Sequence, residues 1–195
     1  MEMNEQNTLY PVFLKMNKLR LLIVGGGSVA IEKLHFLLKS SPDAHVTVMA
    51  PEIDNTIIEI FARYTYHVNI IHEKFDPVVL PHFDLVIAAT NHTDVNREMY
   101  KACKSAGVLI NVADTPDLCD FYMGSIVTRG NLKIAISTNG QSPTFAKRFR
   151  QLLEDILPEE VDGLLTNLRT LRDRLQGNFS EKVTYLNEVT KSLIS

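Results

Sequence analysis

The chain has 195 residues, of which 45% are hydrophobic and 22% are charged. This composition is typical of a folded globular protein and excludes an intrinsically disordered one. The 20 basic and 23 acidic residues leave a formal net charge of −3, so the chain has no general attraction for nucleic acid or for an anionic membrane surface. Because one domain has about 150 residues on average, the length predicts one domain with a substantial appendage.

The apolar runs, the first residues and the two cysteines indicate in which part of the cell the protein is found. The longest apolar runs, such as residues 21–24 and 85–89, are far shorter than the roughly 20 residues that span a bilayer, so we expect no membrane segment. The first residues include acidic side chains and lack the basic segment followed by an apolar segment that marks a protein for export. This predicts a cytoplasmic protein. Cys103 and Cys119 lack the spacing of a zinc finger, and we interpret both as reduced thiols that pack as small hydrophobic side chains. We expect no metal site.

Residues 1–115 alternate between short β-rich runs and helical patterns. Such alternation is typical of βαβ units with a parallel sheet. The runs at 19–24 and 83–89 are largely continuous in apolar residues, as expected of strands buried on both faces. The predicted strands are 19–24, 46–50, 68–72, 83–89 and 108–112, and the predicted helices are 29–39, 57–62 and one that Thr93 caps and Gly107 ends.

The pattern changes after Asp114. Residues 125–128 and 133–137 flank a short glycine-containing loop, which predicts an antiparallel hairpin. Ser142-Pro143 is a strong helix start, and apolar residues at helical spacing continue as far as Pro158. Further helices are predicted at 160–175 and 180–193. We therefore expect an α/β fold in three segments: a Rossmann-type parallel sheet at 1–114, a hairpin and helix at 115–157, and a small C-terminal helical domain at 158–195.

A buried strand leads directly into a glycine-rich turn and a helix, with the sequence LLIVGGGSVA at residues 21–30. This G-x-G-x-x-A spacing in a βαβ context is typical of dinucleotide-binding proteins. Gly25 allows the tight turn, Gly27 lets a pyrophosphate approach the backbone, and Ala30 allows close helix packing. The helix N-terminus supplies unpaired amides to the anion. A glycine turn without a ligand is the alternative.

The acidic residue that usually binds the adenosine ribose is displaced in this chain. It is expected about 20 residues after the glycines, near the end of the second strand, where the chain reads VMAPE at residues 48–52. Glu52, or the backbone around Pro51, is the candidate for the ribose hydroxyls. No arginine stands in this loop to bind a 2′-phosphate, which favours NAD over NADP.

Ligands of open parallel sheets bind at the carboxyl ends of the strands, which here are residues 90–92 and 113–115. We place Thr90 at the cofactor, and Asn91 and His92 towards the substrate. Asp114 is the candidate general acid or base beside a hydride-transfer centre. The alternatives are that Asp114 only caps the turn before a proline, and that His92 only leads into a helix.

Several separate blocks of the chain resemble one family. They are YPVFL at 10–14, GGGSVA at 25–30 followed by Glu32-Lys33, VMAPEI at 48–53, DLVIAATN at 84–91 with Asn96 after it, INVADTPDLCDF at 110–121 and KIAISTNGQSPTFAKRFR at 133–150. In this order they resemble the dehydrogenase/ferrochelatase family of sirohaem biosynthesis, over roughly residues 8–158. The segment beyond Pro158 resembles the family only as a helical region.

The resemblance implies an NAD-dependent oxidation of precorrin-2 to sirohydrochlorin by a homodimer, whose hairpin region and helices link two Rossmann domains. In some members the same site also inserts Fe²⁺ to give sirohaem, and the sequence leaves this second activity open. The family's cofactor contacts fall on Ser28 and Val29 in the glycine turn and on Pro51 and Glu52 after the second strand. The family's essential aspartate falls on Asp114.

The implied substrate is a large polycarboxylate, which a chain of net charge −3 must bind with a few placed cations and donors. We expect these to come from the hairpin tip and from the helix that begins at Ser142. The candidates are Arg129, Thr138, Lys147, Arg148 and Arg150. A solvated basic helix face is the alternative for each of the cations.

Two other functions are weighed against this one. An NAD(H)-sensing regulatory module without catalysis needs no acid at the nicotinamide end, so Asp114 and the STNGQSP block at 137–143 argue against it. An oxidoreductase of small hydroxy or amino acids needs a sizeable substrate domain, and the residues after 114 leave little room for one.

Overall fold

The computed structural model describes residues 7–63 and 67–191. It divides the chain into two compact units, Met1–Met123 and Gly124–Ser195. This division differs from the three segments predicted from the sequence. The first unit continues past Asp114 because the following segment hydrogen-bonds back to the sheet, where the Asp120 amide donates to the Ile110 carbonyl over 2.7 Å.

The first unit is built on a five-stranded parallel sheet in the order β3-β2-β1-β4-β5. The strands are β1 (Arg20–Val24), β2 (His45–Met49), β3 (Val68–Ile71), β4 (Leu85–Ala88) and β5 (Leu109–Val112), and the helices are α1 (Ser28–Ser40), α2 (Asn55–Arg63) and α3 (Thr93–Ala106). Short 3-10 helices lie at Met16–Lys18, Pro77–His82 and Pro116–Leu118. This strand order is that of a Rossmann fold, so the predicted fold class is confirmed.

The core of the first unit explains why the central strands are so apolar. All four residues of β4 are buried, and so are the last four of β1. On one face of the sheet they pack with α1, including Leu34 and Leu38. On the other face they pack with α3, including Met99 and Cys103. Because both faces are covered, these strands carry continuous rather than alternating apolar residues.

One predicted helix boundary needs correction. His92 has extended backbone and is the N-cap of α3, whereas Thr93 is already helical. The sequence had predicted that Thr93 caps this helix, and that prediction is wrong. The C-terminal end is as predicted, because Gly107 has a positive φ of 71° and ends the helix in the left-handed region.

The second unit contains an antiparallel hairpin and three helices. The hairpin strands are β6 (Ser125–Arg129) and β7 (Leu132–Ile136), and the helices are α4 (Pro143–Ile156), α5 (Val161–Arg174) and α6 (Phe179–Thr190). Ser142 caps α4 as predicted, with its hydroxyl accepting from the Phe145 amide over 3.2 Å. Residues 192–193, the end of the last predicted helix, lie outside the described residues. Within the described part of the chain, no helix has the length and apolarity to span a bilayer.

Candidate active site

The loops at the carboxyl edge of the sheet are held side by side by backbone hydrogen bonds. The amide of Gly25, just after β1, donates to the Met49 carbonyl over 3.0 Å. The Ala89 amide donates to the Val24 carbonyl over 2.8 Å, and the Ala113 amide donates to the Ala88 carbonyl over 3.0 Å. The ends of β2, β1, β4 and β5 therefore present their following loops at one common edge.

The glycine turn after β1 is shaped by close backbone contacts. Gly25 has a φ of +136°, and a Cβ there would overlap the Ala89 carbonyl. A Cβ on Gly26 would overlap the Glu52 carbonyl. Gly27 differs, because its Cβ position has no atom within 4 Å. The sequence predicted the tight turn at Gly25 and the open approach at Gly27, but it gave Gly26 no role.

The N-terminus of α1 faces an open cleft. Gly27 is the N-cap of this helix and has no side chain with which to satisfy the first-turn amides, so these amides are available to an anion. Ser28 and Val29 begin the helix, with Ser28 exposed. A cleft of about 360 Å³ is lined by Gly26, Gly27, Glu52, Ile53 and Asp54.

Two carboxylates lie at this cleft, and none of its five lining residues is basic. Glu52 follows the exposed Pro51 and is itself exposed. Asp54 was not singled out from the sequence, yet its Oδ1 accepts from the Thr56 amide over 2.8 Å at the start of α2. Hydrogen bonds from Thr56 hold the pKa of Asp54 below its usual value, so this carboxylate is an anion at neutral pH. Two acids at this position disfavour a 2′-phosphate and suit free ribose hydroxyls.

The loop after β4 is locked by a buried asparagine. The Thr90 hydroxyl donates to Asn96 Oδ1 over 2.6 Å, and Asn96 Nδ2 donates to the Thr90 carbonyl over 3.0 Å. The His92 amide also donates to Thr90 Oγ1, over 3.2 Å. Thr90 therefore fixes the shape of the loop, while the side chains of Asn91 and His92 are exposed. Asn96 is only 6% exposed, and a polar residue on the otherwise apolar face of α3 is the sequence signal that could have revealed its role.

Asp114 stands in a turn just after β5. Its φ of +57° is in the left-handed region, and its side chain is exposed. The Ala113 amide ties the turn to β4, and the Thr115 amide donates back to the Val112 carbonyl over 3.2 Å. The structure thus places Asp114 at the same sheet edge as the glycine turn and the loop after β4.

The two cysteines are free thiols. Burial raises the pKa of Cys103 to about 11, with the Asp120 carboxylate adding to the effect. Burial also raises the pKa of Cys119. Both side chains are therefore neutral thiols at physiological pH and weak nucleophiles. Among residues 7–63 and 67–191, no three His, Cys, Asp or Glu side chains are grouped so as to hold a metal ion.

The candidate substrate-binding residues of the second unit divide into two groups. Arg129 and Thr138 make bonds within the unit: the Arg129 guanidinium donates to the Glu154 carbonyl, and Thr138 Oγ1 accepts from the Ser142 amide over 3.2 Å. Lys147 and Arg148 are exposed on α4. Arg148 contacts Gln151 over 3.1 Å on the same helix face. The exposed pair is therefore better placed to meet a ligand than Arg129.

A further arginine of α4 is also engaged within the second unit. Arg150 is paired with the carboxylate of Glu154 one helical turn later. Glu154 thus serves two arginines, one through its carboxylate and one through its carbonyl. Because Glu154 partly neutralises its charge, Arg150 attracts a substrate carboxylate less strongly than an unpaired arginine would.

The sheet order, the glycine turn and the acidic cleft define a dinucleotide-binding α/β domain. Comparison with known proteins supports the same class of domain. Residues 12–125 match the family model described as putative NAD(P)-binding, and residues 129–156 match the model described as sirohaem biosynthesis protein, central. The chain belongs to this NAD(P)-binding family and carries the sirohaem-type central segment directly after it.

Curated relatives of the chain include sirohaem synthases. That of Pseudoalteromonas translucida (strain TAC 125) is 35% identical over 169 residues, which cover 87% of this chain and 35% of the relative. That of Nitrosomonas eutropha is 37% identical over 175 residues, covering 89% of this chain and 36% of the relative. The chain therefore spans about a third of the length of these relatives.

A solved structure matches nearly the whole chain. It is described as SirC, precorrin-2 dehydrogenase, with a TM-score of 0.74 and 28% sequence identity. The match covers 93% of this chain and 89% of that one. The likeness therefore includes the hairpin and helices of the second unit as well as the dinucleotide-binding domain.

Proposed function

We propose that this protein is an NAD-dependent dehydrogenase that oxidises precorrin-2 to sirohydrochlorin. The observation that carries the proposal is the match to a precorrin-2 dehydrogenase over 89% of that structure. The sirohaem synthase relatives and the sirohaem-type central segment support the same substrate class. The position of Asp114 at the edge that holds the glycine turn is consistent with this chemistry.

The residues of the cleft fit a dinucleotide. Gly27 leaves the backbone open to a pyrophosphate, Gly26 lets the turn pack closely against the Glu52 carbonyl, and the free amides of α1 supply the positive end of a helix dipole. Glu52 faces the ribose hydroxyls in this proposal, and the acid at Asp54 makes a 2′-phosphate unfavourable. The cofactor is therefore NAD⁺, which supplies a hydride acceptor when it is bound.

Asp114 is the general base of the proposed reaction. Its exposed carboxylate takes the proton that the tetrapyrrole loses when a hydride leaves the adjacent carbon. Asn91 and His92, exposed in the loop after β4, are proposed to contact the substrate. Lys147 and Arg148 of α4 are proposed to pair with its carboxylates, with smaller contributions from Arg129 and Thr138, which already make bonds within their unit.

Three further properties belong to the same proposal. Fe²⁺ is a second substrate, inserted into sirohydrochlorin with the macrocycle supplying the ligands and Asp114 removing pyrrole protons. The protein works as a homodimer, which the exposed apolar face of α4 supports. It works in the cytoplasm, where a reducing environment suits its two free thiols.

The experiment that tests the proposal is an anaerobic assay with precorrin-2 and either NAD⁺ or NADP⁺. Formation of NADH and of the sirohydrochlorin spectrum is expected with NAD⁺, and subsequent Fe²⁺ addition, compared with a no-enzyme control, tests the chelatase step. The variant Asp114→Asn should lose turnover by at least about 100-fold and bind NAD⁺ as the wild type does. Asp117→Asn, an exposed acid in the following 3-10 helix, is the matched control and should stay active.

Two results would count against the proposal. Wild-type protein that binds NAD⁺ but turns over with neither cofactor would indicate a sensing module instead of an enzyme. Loss of NAD⁺ binding together with turnover in Asp114→Asn would indicate that this aspartate holds the turn and does not act as a base.

A further inference from the structure

The turn that carries Asp114 has an unfavourable backbone conformation. A φ of +57° places this aspartate in the left-handed region, where a residue with a Cβ needs support from its surroundings. Part of that support comes from outside the turn. The Cys119 thiol lies against it, and the sulfur accepts from the Val112 amide over 3.3 Å.

The same sulfur also contacts the carbonyls on both sides of Asp114. Cys119 Sγ is 3.3 Å from the Val112 carbonyl and 3.3 Å from the Thr115 carbonyl. The one S–H proton can donate to either of them. A single side chain thus joins the backbone before Asp114 to the backbone after it, across the residue with the positive φ.

Cys119 is itself held firmly in place. Its amide donates to the Pro116 carbonyl over 3.1 Å. The next residue, Asp120, accepts from the Ile110 amide over 3.1 Å and pairs with Lys104 of α3 over 2.6 Å. Asn111, only 7% exposed, donates to the Phe121 carbonyl over 2.8 Å. The segment at 119–121 is therefore anchored along β5, and the thiol has little freedom to leave the turn.

The chemistry of a thiol suits this position. Burial raises the pKa of Cys119, so the group keeps its proton and remains both a donor and an acceptor at neutral pH. Asn111 Nδ2 also points at the sulfur over 3.4 Å. A methyl group in the same place would pack equally well but would leave the Val112 amide without this acceptor.

We propose that Cys119 is a positioning residue for Asp114, holding the turn at 112–115 so that the carboxylate points into the site. This inference rests on the proposed function, in which Asp114 is the base. Removal of the thiol lets the turn relax, so the carboxylate is misplaced while the cofactor cleft at Gly26 and Gly27 is untouched. The effect therefore falls on kcat and leaves cofactor binding unchanged.

The test compares three variants of the whole protein in the anaerobic precorrin-2 assay. Cys119→Ala should lower kcat by about tenfold or more, in line with the cost of small misplacements at a reacting group, with the Kd for NAD⁺ unchanged. Cys119→Ser keeps a donor and acceptor and should recover most of kcat. Cys103→Ala removes a more deeply buried thiol from α3 and should leave kcat within about twofold, even if it lowers the melting temperature further.

A second measurement does not depend on turnover. Hydrogen exchange of the peptide that contains residues 112–115 should be faster in Cys119→Ala than in the wild type, and unchanged in Cys103→Ala. If exchange of residues 112–115 is faster in Cys119→Ala but the wild-type protein shows no turnover, Cys119 does hold the turn and the proposed function fails. If the wild type is active and Cys119→Ala matches it in both kcat and exchange, the positioning is refuted. A serine variant as slow as the alanine variant would also refute it, because the thiol would then act by its volume alone.

Discussion

Gly25 and Gly27 are glycines for different reasons, and single substitutions can separate the two. At Gly27 the backbone is in the extended region and the Cβ position is open, so Gly27→Ala costs the fold only about 0.5 kcal/mol. In the site that we propose, the added methyl group stands where the pyrophosphate must approach. We expect the Kd for NAD⁺ to rise at least about tenfold, measured by calorimetry, with the melting temperature nearly unchanged.

Gly25→Ala is the contrasting control for that prediction. Its positive φ and its overlap with the Ala89 carbonyl strain the folded state directly, so this variant should lose stability by about 2 kcal/mol or more. A Gly27→Ala protein that binds NAD⁺ normally would show that the dinucleotide does not lie against this turn.

The positions of the candidate site residues were predictable where a local sequence pattern determines them. The positions of the glycine turn and of Asp114 could be predicted from where the strands end and from the spacing of the glycines along the chain. The bonds of Asn96 and Cys119 could not be predicted, because they close only in the folded loops. A sequence shows the residue type there but not the partner, and Cys119 was accordingly interpreted as a small packed side chain.

At the scale of elements, β1 and β4 are joined at their amino ends by an exposed ion pair. Asp84 Oδ2 accepts from the Arg20 amide over 2.8 Å and from the Arg20 guanidinium over 3.3 Å. Two hydrogen bonds lower the pKa of Asp84 in the folded protein: the bond from the Arg20 amide has the larger effect, and the bond from the Arg20 side chain has the smaller one. The stabilisation is therefore complete above the usual aspartate pKa of about 4, and it is lost as the pH falls through the lowered value.

We expect Asp84→Asn to reduce the free energy of unfolding at pH 7 by less than about 1 kcal/mol, because the pair is exposed and screened. The difference from the wild type should shrink as the pH falls through the lowered pKa of Asp84 and vanish once the carboxyl is protonated. Urea unfolding at pH 7 and along an acid titration measures it, and Asp43→Asn, an exposed acid before β2, is the control. A difference that persists at low pH would mean that the amide disturbs packing and that charge plays no part.

The elements themselves were largely predictable, but the links between them were not. The hairpin and α5 were each expected from turn residues and helical spacing. Their connection depends on Asp162, whose Oδ1 accepts from the Asn131 amide over 2.7 Å and from its side chain over 2.8 Å. This contact spans 31 positions of sequence, beyond the reach of any local pattern, and it explains why the hairpin and the C-terminal helices belong to one unit instead of two.

At the scale of the whole molecule, α4 leaves an apolar stripe uncovered. Phe145, Phe149, Leu152 and Ile156 are spaced three or four residues apart and all are exposed, so they lie on one face of the helix. The rings of Phe145 and Phe149 stack at 5.8 Å. In the homodimer that we propose, a second copy of the chain covers this stripe, since exposed apolar helix faces of this kind are typical of protein interfaces.

The dimer can be tested with one charge on that stripe. Phe149→Asp should convert the protein from a dimer to a monomer at micromolar concentration in sedimentation velocity, because burying an unpaired carboxylate at an interface costs several kcal/mol. Phe179→Asp is the matched control: Phe179 is 84% exposed at the start of α6 and lies off the stripe, so this variant should remain a dimer. A wild-type protein that sediments as a monomer, or a Phe149→Asp protein that stays dimeric, would remove α4 as the dimer interface.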